Sequence, residues 1–352
     1  MKDVSIVILN WNGKQHLEHF LPDLVRHTTH PGAEIVVADN GSVDDSVEFL
    51  KKDYPNIRII ELKLNYGFSG GYNRAMEQID AKYLLLLNSD IEVSEHWLEP
   101  MLDLMEKDRS VGACTPRIRD FKNRSYFEYA GAAGGFIDHL GYPFCRGRIF
   151  DHLEEDHGQY DKAIDLFWGS GACLMVRADL FRESGGLDEH FFAHMEEIDL
   201  CWRLQRMGYR IRYIPSSTVY HVGGATLQRG NPFKTYLNFR NNLLLLYKNL
   251  PTHGRTRILF TRMILDGISA FRFLIQGAFR DFLAVFKAHL SFYGMKSSYR
   301  GMKNKNKYAE NDVIVAGIFP RSIVVEFFLK GRRKFSDLDQ WFRRTLEKTD
   351  DG

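Results

Sequence analysis

In its N-terminal part the chain alternates short apolar runs with polar segments of helical spacing. Residues 4–9 read as a strand ending in Asn10, Trp11, Asn12 and Gly13, and the next segment sets Leu17, Phe20, Leu21 and Leu24 on one helical face. Residues 34–38 form a second run, closed by Asp39, Asn40, Gly41 and Ser42, after which a helix is predicted to open with Asp44 and Asp45 in its first turn. Residues 58–62 predict a third strand, followed by a glycine-rich stretch from Asn65 to Asn73 that leads into a short helix. A continuous apolar run, Tyr83-Leu84-Leu85-Leu86-Leu87, then passes through Asn88 and Ser89 to Asp90. An unbroken run of this kind marks a strand buried on both faces, as in a parallel sheet. Strands alternating with helices predict a doubly wound, mostly parallel α/β sheet.

Ligands of such sheets bind at the carboxyl ends of the strands. Asn10, Asn12, Asp39, Asn65 and Asp90 share that edge if the strands are parallel, and Asp90 is placed to hold a divalent cation against a phosphorylated ligand. The plainer reading of Asn88, Ser89 and Asp90 is a turn. No G-x-G-x-x-G follows the first strand and no G-x-x-x-x-G-K-[ST] occurs, which disfavours a dinucleotide site and a P-loop. Residues 131–135 are glycine-rich outside a strand-to-helix setting and are expected to form a flexible loop.

In the second half, residues 166–176 read as a loop running into a buried strand. Gly169, Ser170 and Gly171 lack the G-x-S-x-G spacing of a hydrolase elbow, and suit a backbone that approaches a sugar. Trp168 fits stacking on a sugar face or a place in the core equally well. Ile198, Cys201, Leu204 and Met207 follow helical spacing and Gly208 is a natural stop. That helix starts with Glu196, Glu197 and Asp199, which either complement the helix dipole or perform chemistry. Residues 210–215 predict a short strand and residues 219–226, with His221, follow it. His190 and His194 are four apart but lack the glutamate of H-E-x-x-H.

Asn10-Trp11-Asn12, the Asp39-to-Asp44 segment, Gly67-Phe68-Ser69-Gly70-Gly71-Tyr72-Asn73 and Asn88-Ser89-Asp90, in this order, resemble the family-2 inverting glycosyltransferases with the GT-A fold. The likeness is greatest to the bacterial rhamnosyltransferase and galactofuranosyltransferase branch, and it covers about residues 4–251. The resemblance implies that Asp39 contacts the pyrimidine base of a nucleotide-sugar donor. It places Asn10, Asn12, Asn65, Gly67, Gly71, Asn73, Asn88 and Ser89 around that donor, and Trp168, Gly169 and Ser170 on the acceptor side. A D-x-D-like motif, with Asn88 in its first position, points to Asp90 as ligand of Mg²⁺ or Mn²⁺, and His221 matches a position that completes the metal site. The acidic pair at the start of the later helix implies Glu197 as catalytic base, with Glu196 and Asp199 as alternates. Inversion by direct displacement needs such a carboxylate to deprotonate the acceptor hydroxyl. Arg229 and Lys234 could approach the diphosphate by charge alone.

From about residue 231 the texture changes to strongly apolar helical segments interrupted by charges such as Arg257, Arg272, Arg280 and Lys287. No uninterrupted run of about 18 apolar residues exists, so amphipathic helices in a membrane interface are favoured over a spanning helix. Packing on the catalytic domain or on a second subunit carries equal weight. Lys303, Lys305, Lys307, Lys330, Arg332, Arg333 and Lys334 favour an anionic membrane surface. This divides the chain into a catalytic domain over 1–230, a helical extension over 231–295 and a basic tail over 296–352. With 352 residues and a net charge of +2, the composition is that of a folded protein and argues against nucleic-acid binding. The cysteines, Cys114, Cys145, Cys173 and Cys201, form no C-x-x-C pair, and no secretory signal precedes the first strand. The expected protein is a peripheral glycosyltransferase at the cytoplasmic face of the inner membrane, taking a dTDP-rhamnose-like or UDP-sugar donor and a glycan or lipid-linked acceptor. A homo-oligomer is compatible with the tail. The alternatives are a silent glycan-binding or assembly scaffold and a nucleotidyltransferase.

Overall fold

The computed structural model describes residues 1–223, 231–303 and 315–338. The N-terminal half runs β1 (Lys2–Asn10), α1 (Lys14–His27), β2 (Ala33–Asp39), α2 (Ser46–Asp53), β3 (Arg58–Glu61), α3 (Gly67–Met76), β4 (Ala81–Asn88), β5 (Ile91–Val93), α4 (Glu99–Lys107) and β6 (Val111–Asp120). Short strands β7 (Gly135–Asp138), β8 (Pro143–Cys145), β9 (Arg148–Ile149), β10 (His152–Leu153) and β11 (Asp165–Leu166) follow. Then come β12 (Cys173–Arg177), α5 (Ala178–Glu183), α6 (Glu196–Arg206), β13 (Arg210–His221), α7 (Pro232–Asn249), α8 (Thr252–Ile275), α9 (Phe279–Lys303) and β14 (Ile318–Phe319).

The main sheet is ordered β11-β13-β6-β12-β4-β1-β2-β3, with β5 paired to β13. β1 to β4 are parallel, as their alternation with helices predicts, whereas β12 runs antiparallel to both β4 and β6. β4 explains its own apolar run. Leu84 and Leu86 enter a core layer shared with Tyr72, Phe191 and α6, and Tyr83, Leu85 and Leu87 enter the layer on the other face with Leu17, Leu21 and Trp97. Burying a side chain of this size contributes roughly 1.5–3 kcal/mol, so a strand with all of them buried anchors both layers. Its carboxyl end is thereby held rigidly at the ligand edge.

Several local expectations change. Residues 67–73 are themselves helical, forming most of α3, because Asn65 Oδ1 accepts the Gly67 N–H at 2.8 Å and starts the helix earlier. Asp44 and Asp45 precede α2, where the Asp44 carboxylate receives the Ser46 N–H at 3.2 Å. Residues 210–221 form one bulged strand, with the register shift between Ile214 and Thr218 around Pro215. Residues 131–135 are a buried turn entering β7, fixed by the Arg146 N–H donating to the Gly134 carbonyl, the Ala133 N–H donating to the Arg146 carbonyl, and mutual bonds between Gly135 and Trp168.

The C-terminal part belongs to the same body. Leu243, Leu244, Leu245 and Leu246 of α7 are buried in the core layer that contains α6. β14 adds a parallel strand to β7 in the second sheet, ordered β10-β9-β8-β7-β14. The Asp138 carboxylate receives the Ile323 N–H at 2.9 Å, and Glu154 receives the Phe335 N–H at 2.8 Å. Lys330 and Arg332 pair with the buried Glu326, at 2.9 and 2.8 Å, while their own side chains stay partly exposed. Among the described residues no helix is long and apolar enough to cross a membrane. The side chain of Lys303, together with Lys305 and Lys307, lies outside the described residues.

Candidate active site

The carboxyl ends of β1 and β2 are joined by side chains. The Asn10 amide donates to Asp39 Oδ2 at 3.0 Å and to Ser42 Oγ at 3.2 Å, while Asp39 Oδ1 receives the Ser42 N–H at 2.9 Å. Asn12, in the left-handed region at φ 51°, accepts the Val43 N–H at 2.8 Å and donates its own N–H to Ser42. Asp39 is buried with both oxygens occupied, so here it orders the β1 and β2 loops. Asn10 Oδ1 is buried without a protein partner, close to Gly13, where a Cβ would come within 2.5 Å. Asn65 belongs to a neighbouring cluster: Asn40 donates to Asn65 Oδ1 and to the Gly67 carbonyl, both at 3.0 Å.

Three of the expected donor residues serve packing. Gly71 sits against Leu9 and Asn40, leaving no room for a side chain. The Asn73 amide is spent on the Leu187 backbone, donating at 2.8 Å and accepting at 2.9 Å, which ties α3 to the second half of the chain. Gly67, at φ 74°, lies under the Phe192 ring, where an added Cβ would come within 2.5 Å. The N–H groups of Phe68 and Ser69 at the start of α3 donate to the Phe192 carbonyl at 2.8 and 3.3 Å.

Asn88, Ser89 and Asp90 bring β4 to His221 at the end of β13. His221 Nε2 lies 3.1 Å from Asp90 Oδ1 and 3.3 Å from the Asn88 amide nitrogen, and its Nδ1 is 3.3 Å from Glu128 Oε1. Asp90, Glu128 and His221 are all buried. Burial alone would push the imidazole down, but the carboxylates of Glu128 and Asp90 outweigh it and raise its pKa to about 10. Burial likewise works to raise Asp90, and the His221 charge and hydrogen bond hold it below the usual carboxylate range. Asp90 Oδ1 and His221 Nε2 converge at about the separation of adjacent ligands around Mg²⁺, roughly 3 Å for bonds near 2.1 Å. With Glu128 behind Nδ1, the ring has the carboxylate partner that orients metal-bound histidines. Among the described residues no cluster of three or more His, Cys, Asp or Glu side chains surrounds one point. A cation here would have to displace the proton from His221 Nε2, since only the neutral imidazole is a ligand, and would take its remaining ligands from substrate and water, as Mg²⁺ commonly does. The residues fit such an ion.

The acidic helix start is separately built. Phe192, His194 and Met195 have positive φ, at 64°, 70° and 76°, so residues 192–195 form a strained turn ahead of α6. Asn241 of α7 holds it by donating to the carbonyls of Phe191, Ala193 and His194 at 2.8–2.9 Å, and Arg240 adds bonds to His190 and Phe191. The three carboxylates then separate. Asp199 is bound by Arg203 at 2.8 Å, Lys248 at 2.9 Å and Asn249 at 2.7 Å, and despite burial the Arg203 and Lys248 charges keep its pKa low. A carboxylate so occupied is structural, which removes Asp199 as an alternate base. Glu196 and Glu197 each keep one buried oxygen with no hydrogen-bond partner. Burial, followed by the charge of Glu197, drives Glu196 well above its ordinary value, and burial raises Glu197 to about 7. Glu196 is closed off, whereas Glu197 is half-buried beside Gly171 and Phe68.

On the acceptor side, Trp168 is in the core. Its indole N–H donates to Phe136 O at 2.9 Å and its ring covers Gly135, so it has no open face for a sugar. Gly169 packs on Leu174 and Thr115, and Ser170 Oγ receives the Ala172 N–H at 3.3 Å. These residues shape the floor beside Gly171. Arg229 lies outside the described residues, and Lys234 opens α7.

An edge of amides and carboxylates, the Asp90–His221 corner and a glutamate of raised pKa with a partnerless oxygen gather where the sheet presents its ligand side, as a group-transfer enzyme requires. Residues 5–185 match the family described as glycosyl transferase family 2. The chain belongs to that family, and it is an inverting glycosyltransferase with a GT-A-like fold. It is 30 % identical over 237 residues to an N-acetylglucosaminyl-diphospho-decaprenol L-rhamnosyltransferase of Mycobacterium tuberculosis, covering 63 % of this chain and 76 % of that protein. It is 25 % identical over 227 residues to the rhamnosyltransferase WbbL of Escherichia coli K12, covering 62 % and 83 %. A crystal structure of GalNAc-T7 with UDP, GalNAc and Mn²⁺ shares the fold at a TM-score of 0.56 and 17 % identity, covering 70 % of this chain and 48 % of that one.

Proposed function

We propose that this glycosyltransferase moves a deoxyhexose such as L-rhamnose from a nucleoside diphosphate donor to a lipid-linked or glycan acceptor, with Glu197 as the base. The observation that carries this reading is the buried oxygen of the half-buried Glu197, without a protein partner, on a carboxyl whose pKa lies near 7. A base poised there is about half ionised near neutral pH and accepts a proton readily. The acceptor hydroxyl gives its proton to Glu197 as its oxygen bonds to the anomeric carbon. The bond from that carbon to the diphosphate breaks, and its electron pair leaves with the phosphate oxygen. Asp90 and His221, with Asn88 beside them, would hold Mg²⁺ or Mn²⁺, which neutralises charge developing on the diphosphate. Glu128 keeps the imidazole oriented for that task. The Asn10, Asp39 and Ser42 cluster orders the loops that receive the nucleotide. The rhamnosyl assignment is supported by what the Mycobacterium tuberculosis and Escherichia coli relatives are named for, and the lipid-linked acceptor by the name of the Mycobacterium tuberculosis relative.

The experiment is a screen of the purified full chain against dTDP-L-rhamnose and UDP-sugars with Mg²⁺ or Mn²⁺, with polyprenyl-diphosphate-linked N-acetylglucosamine as acceptor. Acceptor-dependent release of one nucleoside diphosphate is expected. Release that ignores the acceptor, or activity unchanged by Glu197→Gln, would overturn the assignment.

A further inference from the structure

The hairpin of α8 and α9 has one face packed and one bare. Leu259, Arg262, Asp266 and Ala270 point inward from α8, and Val285, Ala288 and Phe292 from α9. On the outer side of α8, Phe260, Ile264, Ile268 and Phe271 are exposed at spacings of four, four and three. On α9, Leu283, Phe286, Leu290 and Tyr293 are exposed at spacings of three, four and three. Such spacings line up on one face of each helix, so large apolar side chains cover a two-helix surface. The patch continues onto Phe328, whose ring lies 5.7 Å from the Arg272 guanidinium. A bare surface of this extent marks an interaction site.

The charges around it are of one sign. Among the described side chains of the hairpin, the exposed charged ones are Arg257, Arg272, Arg280 and Lys287. Its two acids are turned inward: Asp266 is buried on Arg262 and His289, and Asp281 receives the Thr235 hydroxyl at 2.6 Å. At one end of the face a cavity of about 300 Å³ opens between the three C-terminal helices, and Phe260 and Tyr293 line both it and the face. Two cations stand in that cavity over the Tyr247 ring, Arg255 at 4.4 Å and Lys296 at 5.3 Å. Apolar side chains ringed by cations, with a cationic recess at the end, complement an anionic lipid surface. A second copy is the poorer occupant, because a two-fold contact through this face would set the cationic rims against each other.

We propose that the outer face of the α8–α9 hairpin seats on an anionic bilayer, the apolar side chains entering the headgroup boundary while the rim cations meet lipid phosphates. The face is remote in sequence from the transfer residues, and its test is independent of which sugar is moved. The full chain is sedimented with vesicles of phosphatidylcholine alone or mixed with phosphatidylglycerol. At least tenfold tighter association with the anionic vesicles is expected. Phe271→Glu with Phe286→Glu, both exposed sites, should weaken that association at least tenfold while leaving the thermal unfolding midpoint and turnover of a water-soluble acceptor unchanged. Arg272→Glu, Arg280→Glu and Lys287→Glu together should abolish the preference for anionic vesicles. Equal association with both vesicles, sedimentation with neither, or insensitivity to the Phe271 and Phe286 changes would overturn the proposal. A concentration-dependent dimer broken by the same pair would assign the face to a second copy.

Discussion

Two buried acidic groups lie at the ends of neighbouring strands and helices, and they are finished differently. At the end of β4, Asp90 and Glu128 enclose His221, so opposite charges are paired, and Asp90 and His221 are each stabilised in the ionised form. At the start of α6, Glu196 and Glu197 sit side by side with an oxygen apiece left without a partner, and both are pushed toward the protonated form. The contrast recurs within a single helical turn, since Asp199 has Arg203, Lys248 and Asn249 around it. Paired groups suit fixed electrostatic tasks, and a partnerless carboxyl near neutrality suits proton transfer. The protein thus separates holding charge from moving a proton.

The predictions attack that separation. Glu197→Gln should lower kcat by about 10²–10⁴-fold, the usual contribution of a general base. Asp90→Asn should weaken metal-dependent donor binding by ~10–100-fold, measured by titration with the nucleotide sugar at several Mn²⁺ concentrations; unchanged metal dependence would detach Asp90 from the cation. Glu128→Gln, which touches only the far side of the imidazole, should cost on the order of tenfold in metal affinity, the lower end for an orienting partner.

Stability sharpens the same contrast. Asp199→Asn leaves Arg203 and Lys248 without their shared anion and should cost about 3–5 kcal/mol in urea unfolding, as breaking buried pairs does. Asn241→Ala removes the side-chain donor to the Ala193 and His194 carbonyls of the strained turn, leaving Phe191 only its Arg240 bond, and should cost ~2–3 kcal/mol, with kcat falling because the turn aims Glu197.

The smallest effect is on pH. Because the folded-state pKa of Glu197 is raised to about 7, the native state binds the extra proton between the ordinary glutamate pKa and 7. Glu197 therefore favours folding at low pH, and this contribution fades as pH rises through that window. Glu197→Gln should flatten that slope in unfolding curves taken from pH 4.5 to 8. In the wild type, kcat/KM should fall on the acid side of about pH 7.

Much of this was legible in the residues. The run through Leu84 to Leu87 announced a strand buried on both faces, and the helical spacing after Glu197 located α6. What escaped depends on distant pairings that leave no local pattern. Glu128 meets His221 only because β6 and β13 are neighbours in the sheet, and Asn73 looked like a ligand residue because nothing nearby shows that Leu187 returns to it. Trp168 presented the same aromatic whether it stacked on a sugar or on Gly135, and only the packing of β7 decides. Lys330 and Arg332 read as free surface charge until Glu326 folds beneath them. The Arg240 and Asn241 clamp was visible as polar residues leading an apolar helix, but its target is a turn almost fifty residues earlier.

The central claim is that the partnerless carboxyl of Glu197 takes the acceptor proton. Its most direct test is the turnover of Glu197→Gln at saturating donor and acceptor, with donor affinity measured on the same preparation. The account predicts a loss of at least a hundredfold in turnover with donor affinity within a factor of two of wild type. Turnover within fivefold of wild type would contradict it.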